Sequence, residues 1–435
     1  MKNTFVIFLL VNPVMASAQD STTAKIPFEG MDLSWINGQN RQTAFPLVWK
    51  DKDEETIVTA VAYLDAYYNY NMNKPIDNTH TISSTIGRHN EFTVNHASIG
   101  LESNYKNIIG RLWLQTGQMA ALIQDQDATV GRGRNTSINN LKYIREAAVG
   151  YHFNKWYGIN VEMGIFMSYI GLESYVTQEN WSYQRSMVCD FTPFYFSGAR
   201  IQAFPSKKFK TELWLLNGWQ SYNSWNNSLG IGNSNYYRPN ENLQLVANFY
   251  LGKDSRSNTA RFHHDNSVVA RYINKKGAKG LSQAAFSINT HYGFQNGDGV
   301  KASKNYMTGM AIANRFWFNS NKFAVTLRGD YISNPGLYLA FTPSPVTPND
   351  FTDAMAADAT PSINIFQATS TVDIMPNDFF TFRFEYGYRK ADKPYFAGPG
   401  GTTSPDGWVT TPVNNWRPSL VKNEHRLTIA ASFRL

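Results

Sequence analysis

The chain is poor in several things, and each shortage removes a class of protein. It has one cysteine, Cys189, in 435 residues, so no intramolecular disulfide framework holds it. Beyond the N-terminus no stretch approaches 18 consecutive apolar residues, which leaves no transmembrane helix. Only 17% of residues are charged, and the net charge of +7 is dispersed without a polybasic run. Nucleic acid is therefore not a partner. No linker or composition shift divides the chain, although its length would admit two or three soluble domains. Chemistry-bearing motifs are scarce too: there is no Gly-rich phosphate loop, no H-E-x-x-H and no paired cysteine. "RFHHDN" sets His263 and His264 beside Asp265, but a strand turns neighbouring side chains to opposite faces, so the pair makes a poor metal site. The reading is of a protein that is no enzyme and carries no cofactor or metal.

What the chain does have is aromatic residues, 14% of the total with 24 Tyr and 28 Phe. Its N-terminus, "MKNTFVIFLLVNPVMASAQ", has Lys2, an apolar core from Phe5 to Val11, and Ala16-Ser17-Ala18 before Gln19. That is the pattern of a secretory signal with an A-x-A cleavage site. The expected organisation is a signal peptide over 1–18, a periplasmic N-terminal segment over 19–56 and a transmembrane β-barrel over 57–435.

The barrel is read from alternation with period two. In "KFAVTLRGDYIS" one face is Phe323, Val325, Leu327 and Tyr331, and the other is Ala324, Thr326, Arg328 and Asp330. The same alternation runs through "GINVEMGIFMSY", "NLQLVANFYLG", "DFFTFRFEYGYRK" and "NEHRLTIAASFRL". These segments are long enough to cross a bilayer at a tilt, whereas globular strands average about five or six residues. Sixteen segments qualify, at 57–70, 91–103, 107–117, 144–153, 158–169, 191–204, 209–219, 228–237, 242–252, 266–274, 282–295, 305–318, 322–333, 363–375, 379–391 and 423–435. The weakest are 91–103, whose phase slips between Val94 and Ala97 as at a bulge, and the Gly- and Asn-rich 228–237. Connections alternate short and long, the long ones at about 71–90, 118–142, 170–190, 333–362 and 392–422. The fold class is therefore all-β: an antiparallel up-and-down transmembrane barrel with short periplasmic turns and long external loops.

Apolar faces then point to lipid, and aromatic clusters at strand ends (Tyr67 and Tyr68, Trp156 and Tyr157, Phe316 to Phe318, Tyr386 and Tyr388) suit interfacial girdles. An Arg or Lys on the lipid face would cost about 2–4 kcal/mol at the midplane. That rule turns Arg111, Glu162, Arg200, Glu212, Arg315, Arg328, Asp330, Arg383 and Glu385 toward an aqueous lumen as pore-lining residues. The inward set is more basic than acidic, which favours anions weakly. The loop 170–190 carries Glu173, Glu179, Arg185 and Asp190 among Tyr175, Trp181 and Tyr183. Mixed charge with aromatic anchors suits a segment folded back into the pore as a constriction, where Glu173 and Arg185 would face Glu162 and Arg200 across water. Cys189 reads as a buried or loop thiol rather than a nucleophile.

Eight motifs, in order along the mature chain, resemble the OmpL-like β-barrel porin family: "DLSWINGQNRQTAFPL" (32–47), "GRHNEF" (87–92), "GIFMSYIGLESY" (164–175), "NWSYQRS" (180–186), "NGWQSY" (217–222), "NRFWF" (314–318), "KFAVTL" (322–327) and "PYFAGPGG" (394–401). The resemblance implies a porin of the Gram-negative outer membrane and brings no established substrate or catalytic residues. The chain departs from outer-membrane practice by ending in Leu435, with Phe433 as the nearest aromatic on that face. The expected function is passive diffusion of small hydrophilic solutes through a water-filled lumen. Alternatives are a selective channel for sugars or carboxylates, and a non-conducting barrel serving as adhesin or structural anchor. A TonB-dependent transporter is disfavoured because 19–56 is too short for a plug domain. Expected partners are outer-membrane lipids, the barrel assembly machinery and the solutes, and an oligomer is compatible with this reading.

Overall fold

The computed structural model describes residues 25–80, 83–124, 127, 141–224, 228–253, 258–339, 362–412 and 416–435. The signal segment 1–18 and most of the expected external loops 118–142 and 333–362 lie outside the described residues.

A short strand β1 (Val48–Lys50) precedes β2 (Thr56–Asn71), β3 (Glu91–Tyr105) and β4 (Ile108–Thr116). A helix α1 (Gln118–Gln124) leads to β5 (Ile144–Phe153) and β6 (Ile159–Met167). Next come β7 (Tyr195–Ser206), β8 (Phe209–Leu216), β9 (Gly230–Asn240), β10 (Leu243–Gly252), β11 (Ala260–Asn274) and β12 (Leu281–Asn296). β13 (Tyr306–Phe318), β14 (Phe323–Pro335), β15 (Ser362–Asn377) and β16 (Phe380–Ala391) follow, then the two-residue pair β17 (Phe396–Ala397) and β18 (Leu420–Val421), and β19 (Asn423–Arg434). From β2 to β16 each strand pairs antiparallel with the next. β16 pairs with β19, and β19 returns to β2 with Ala430 opposite Tyr67. Sixteen strands thus close a ring, as the alternation predicts.

Closure is what lipid demands. Hydrocarbon offers no hydrogen bonds, so a spanning sheet cannot leave an edge unpaired. At the seam Ala62 and Leu435 exchange backbone hydrogen bonds of 2.9 Å. Just beyond the end of β19, β1 takes over the same edge of β2, with Val48 opposite Thr59.

Side chains sort as the period-two argument requires. On β14 Ala324, Thr326, Arg328 and Asp330 are buried, while Leu327 and Tyr331 are exposed on the outer wall. On β16 Thr381, Arg383 and Glu385 are inside and Phe382, Phe384 and Tyr386 outside. The slip on β3 is a bulge: Asp65 pairs with His96 and Ala66 with Val94, leaving Asn95 extra, so Asn95 and His96 both point inward. Not every end-of-strand aromatic belongs to a girdle. Tyr67 and Trp317 are buried inside the barrel, because two aromatics in succession on a strand face opposite ways.

The interior is partly filled. β9 presents Gly230, Gly232 and Ser234 inward, and a Cβ on Gly232 would lie 1.8 Å from the Tyr169 hydroxyl. Across the ring, a Cβ on Gly309 would lie 2.6 Å from Val188. Both glycines leave room for the segment between β6 and β7, which runs through the lumen.

A sealed ring of this kind keeps its shape in SDS until boiled. Unheated protein should migrate faster than boiled protein on a gel, and equal mobility under both conditions would contradict the closed barrel.

Candidate functional site

The segment from Ser168 to Phe194 leaves the wall at Tyr169. That ring stacks on Phe196 and Trp214, at 5.2 and 5.0 Å, and its hydroxyl donates to the Phe249 carbonyl at 3.0 Å. The chain then crosses the lumen to the facing wall. Apart from a 3₁₀ turn at Thr177–Glu179 and one helical turn at Met187–Asp190, it has no regular structure. Its backbone groups therefore need partners from outside.

Inward charges of the wall supply them. Arginines donate to loop carbonyls: Arg315 to Trp181 at 3.0 Å, Arg328 to Gln184 at 2.8 Å, and Arg383 to Thr177 and Asn180 at 2.9 and 2.8 Å. Carboxylates accept from loop N–H groups: Asp330 from Met187 at 2.8 Å, and Glu385 from Tyr183 and Gln184 at 2.6 and 3.1 Å. Asp65 accepts the hydroxyls of Thr177 and Tyr183 at 2.9 and 3.0 Å, and the bulged Asn95 donates to both Asp65 and Tyr183. Five of the nine sequence-selected wall residues, Arg315, Arg328, Asp330, Arg383 and Glu385, thus grip one loop.

The other four, Arg111, Glu162, Arg200 and Glu212, form a separate cluster on β4, β6, β7 and β8. Glu162 is held by Arg111 and, at 2.7 Å, by Arg200, while Glu212 lies 3.0 Å from Lys210. Glu162 and Arg200 therefore pair with each other instead of facing Glu173 and Arg185 across water. Glu173 pairs with Arg328 at 2.9 Å and takes the Ser186 N–H and hydroxyl at 2.7 and 2.6 Å. Glu179 is held by Arg434 and the Ser174 hydroxyl. Asp190 accepts from Ser84, Thr85 and Gln184; burial pushes its carboxyl up against these partners. Arg185 is the exception among the loop's charges. It donates to the Glu173 carbonyl at 3.0 Å and lies over the Phe194 ring at 4.1 Å, with no carboxylate partner among the described residues.

Sequence reasoning missed Asp373, which binds Arg315 at 2.7 Å and Arg383 at 2.6 Å, and Glu424, which binds Arg389 at 2.7 Å beside His80. Asp373 was within reach, since it is in phase with inward Thr369 and Thr371 on β15. It also missed a strap. Residues 25–47 run across the short-turn end of the barrel. Phe28 N–H reaches the Lys207 carbonyl at 2.9 Å, Asp32 pairs with Arg271 at 3.0 Å, and Arg41 reaches the Phe380 carbonyl at 2.6 Å. Strap and loop are joined where the Trp181 indole donates to the Trp35 carbonyl at 3.1 Å and packs edge-on against Trp317.

Cys189 reports on the docked state. It is fully buried, and burial pushes its thiol up to about 12, so it carries almost no thiolate at neutral pH. The folded protein should leave Cys189 unlabelled by a maleimide at pH 7, and boiling in SDS should make it react fully. Glu385→Ala strips the acceptor from two loop N–H groups and the partner from Arg426, 3.1 Å away. Losing one member of a buried pair costs about 3–5 kcal/mol, so labelling of the folded variant should rise at least tenfold. An unchanged rate would mean that Glu385 does not hold the loop.

No curated protein sequence matches the chain. Among solved structures it is similar to an anion-selective porin from Comamonas acidovorans, with TM-score 0.50 and 10% identity over 88% of this chain and 100% of that one. It is also similar to OprB from Pseudomonas putida in its high-pH structure, with TM-score 0.52 and 9% identity over 87% of this chain and 94% of the other. At such identities these likenesses show the fold alone. A family model described as "Putative beta-barrel porin-2, OmpL-like" matches residues 58–421. The chain belongs to this family of outer-membrane β-barrels.

Proposed function

We propose that the protein is a channel, not an enzyme, that lets small hydrophilic solutes cross the outer membrane passively, with the loop 168–194 as its constriction. The observation that carries this reading is the crossing itself: a loop from β6–β7 fastened by charged side chains to β13–β16 on the far wall. A barrel used only as a scaffold has no need of such a clamp, whereas a pore that must be narrowed does. In this reading the long loops face outward, and the strap over residues 25–47 lies at the periplasmic mouth. Glu173, Glu179, Arg185 and Asp190 set the field around the loop, and Arg111, Glu162, Arg200 and Glu212 line the path on the near wall.

A selective channel is the second reading, favoured by how little space the strap and loop leave. A cavity of about 270 Å³ lies between the loop and the β3–β5 and β9–β11 walls, room for a small molecule but not for an oligosaccharide.

Single-channel recording on purified protein tests both. Deleting 174–186 should raise conductance severalfold while heat-modifiable mobility is retained. A correctly folded deletion variant with wild-type conductance would place the loop outside the conduction path. A wild-type barrel that never conducts would overturn the channel reading.

A further inference from the structure

The cavity beside the loop holds an imbalance of buried charge. Most inward arginines are matched: Arg315 and Arg383 share Asp373, Arg426 has Glu385, Arg389 has Glu424 and Arg200 has Glu162, while Arg238 has Gln244 in place of a carboxylate. Arg185 lines the cavity, is 2% exposed, and has no carboxylate within ion-pair distance among the described residues. Its Nε and Nη1 groups have no hydrogen-bond partner. A guanidinium cannot escape this by losing its proton, so the burial of its charge calls for an anion.

A second guanidinium shares the cavity. Arg145 on β5 is 4% exposed and lies over the Trp113 ring at 3.6 Å, and its Nε is also without a partner. Among the described residues its one carboxylate contact is long, 3.7 Å to Glu146, and Glu146 is equally far from Arg111. Of the four acids lining the cavity, Glu146 has only these long contacts and the other three are already committed. Glu173 is bound to Arg328, Glu179 to Arg434, and Glu102 takes the Trp113 indole N–H at 2.8 Å. A cation would find those three carboxylates engaged, whereas both guanidinium groups keep N–H groups without an acceptor.

We propose that this cavity is a binding site for a small oxyanion, a short-chain carboxylate or an inorganic oxyanion such as phosphate, held between Arg185 of the crossing loop and Arg145 of the wall. Rigid guanidinium forks suit the paired oxygens of such groups. Phe194 and Trp113 pack against the two guanidinium groups, and Ser168, Ser267 and Gln244 in the same lining add polar groups. The site deepens the channel reading and rests on it for its role: the solute class would be small anions, selected where the loop narrows the lumen. Binding as such does not depend on conduction.

Isothermal titration calorimetry on the folded full-length protein in detergent, in low-chloride buffer, tests the site with inorganic phosphate and with succinate as separate probes. One-to-one binding of at least one probe is expected. A preference for succinate identifies carboxylates as the class, and a preference for phosphate identifies inorganic oxyanions. Arg185→Gln and, independently, Arg145→Gln should each weaken binding at least tenfold while the unheated gel band is retained. Arg185→Lys should recover only part of the loss, because it restores charge without the fork. Absence of heat with both probes in the wild type overturns the proposal, whatever the variants do. So does unchanged affinity in a folded Arg185→Gln variant. Conductance without anion binding would leave the channel standing and remove the site, and binding without conductance would do the reverse.

Discussion

Everything in this barrel follows from the need to give every backbone N–H and C=O at membrane depth a partner. The wall meets it by closing: sixteen strands pair in a ring, and β1 continues the edge of β2 where β19 stops. The crossing loop cannot meet it that way, being almost without regular structure. It borrows partners from the wall, arginines for its carbonyls and carboxylates for its N–H groups. The charges inside the barrel are thus largely structural. They replace, around one irregular segment, the ladder that the strands provide for themselves.

That division explains what could be read from the sequence. Lipid imposes the same alternation on every strand, so all sixteen are visible, and so are the inward positions of Arg328, Asp330, Arg383 and Glu385. β9 reads weakly because its inward face, Gly230, Gly232 and Ser234, is shaped by Tyr169 and Tyr250, which come from elsewhere in the chain. β11 is longer than its apolar pattern indicates, starting at Ala260 instead of 266. Its outward His264 and Asn266, bonded to each other at 2.8 Å, hide the alternation. Residues 191–194 carry strand-like aromatics yet belong to the loop, since Phe191 and Phe194 are buried inside the barrel.

The site was legible in composition and not in pairing. Mixed charge and aromatics mark 170–190 as unlike an ordinary external loop, but nothing local says that Glu173 meets Arg328 rather than Arg200. Those residues are far apart in sequence, and their meeting depends on which wall the loop reaches. The strap was invisible for a related reason. "DLSWINGQN" has no period that a strand or helix would impose, and its partners, Glu241, Arg271 and Trp181, come from the turns, the wall and the loop.

The junction of Trp35 with Trp181 also ties an early part of the chain to the whole assembly. The strap fastens to the turns after β7 and β9 and to the start of β16, sites that the closed ring brings within its reach. The carbonyl of Trp35 receives an indole that arrives only once the loop is inside. Residues early in the chain are thus seated on contacts that the closed wall and the docked loop provide together. A barrel with its loop left outside would have no Trp181 to offer, and its strap would keep only the anchors on wall and turns, at Lys207, Glu241, Arg271 and Phe380.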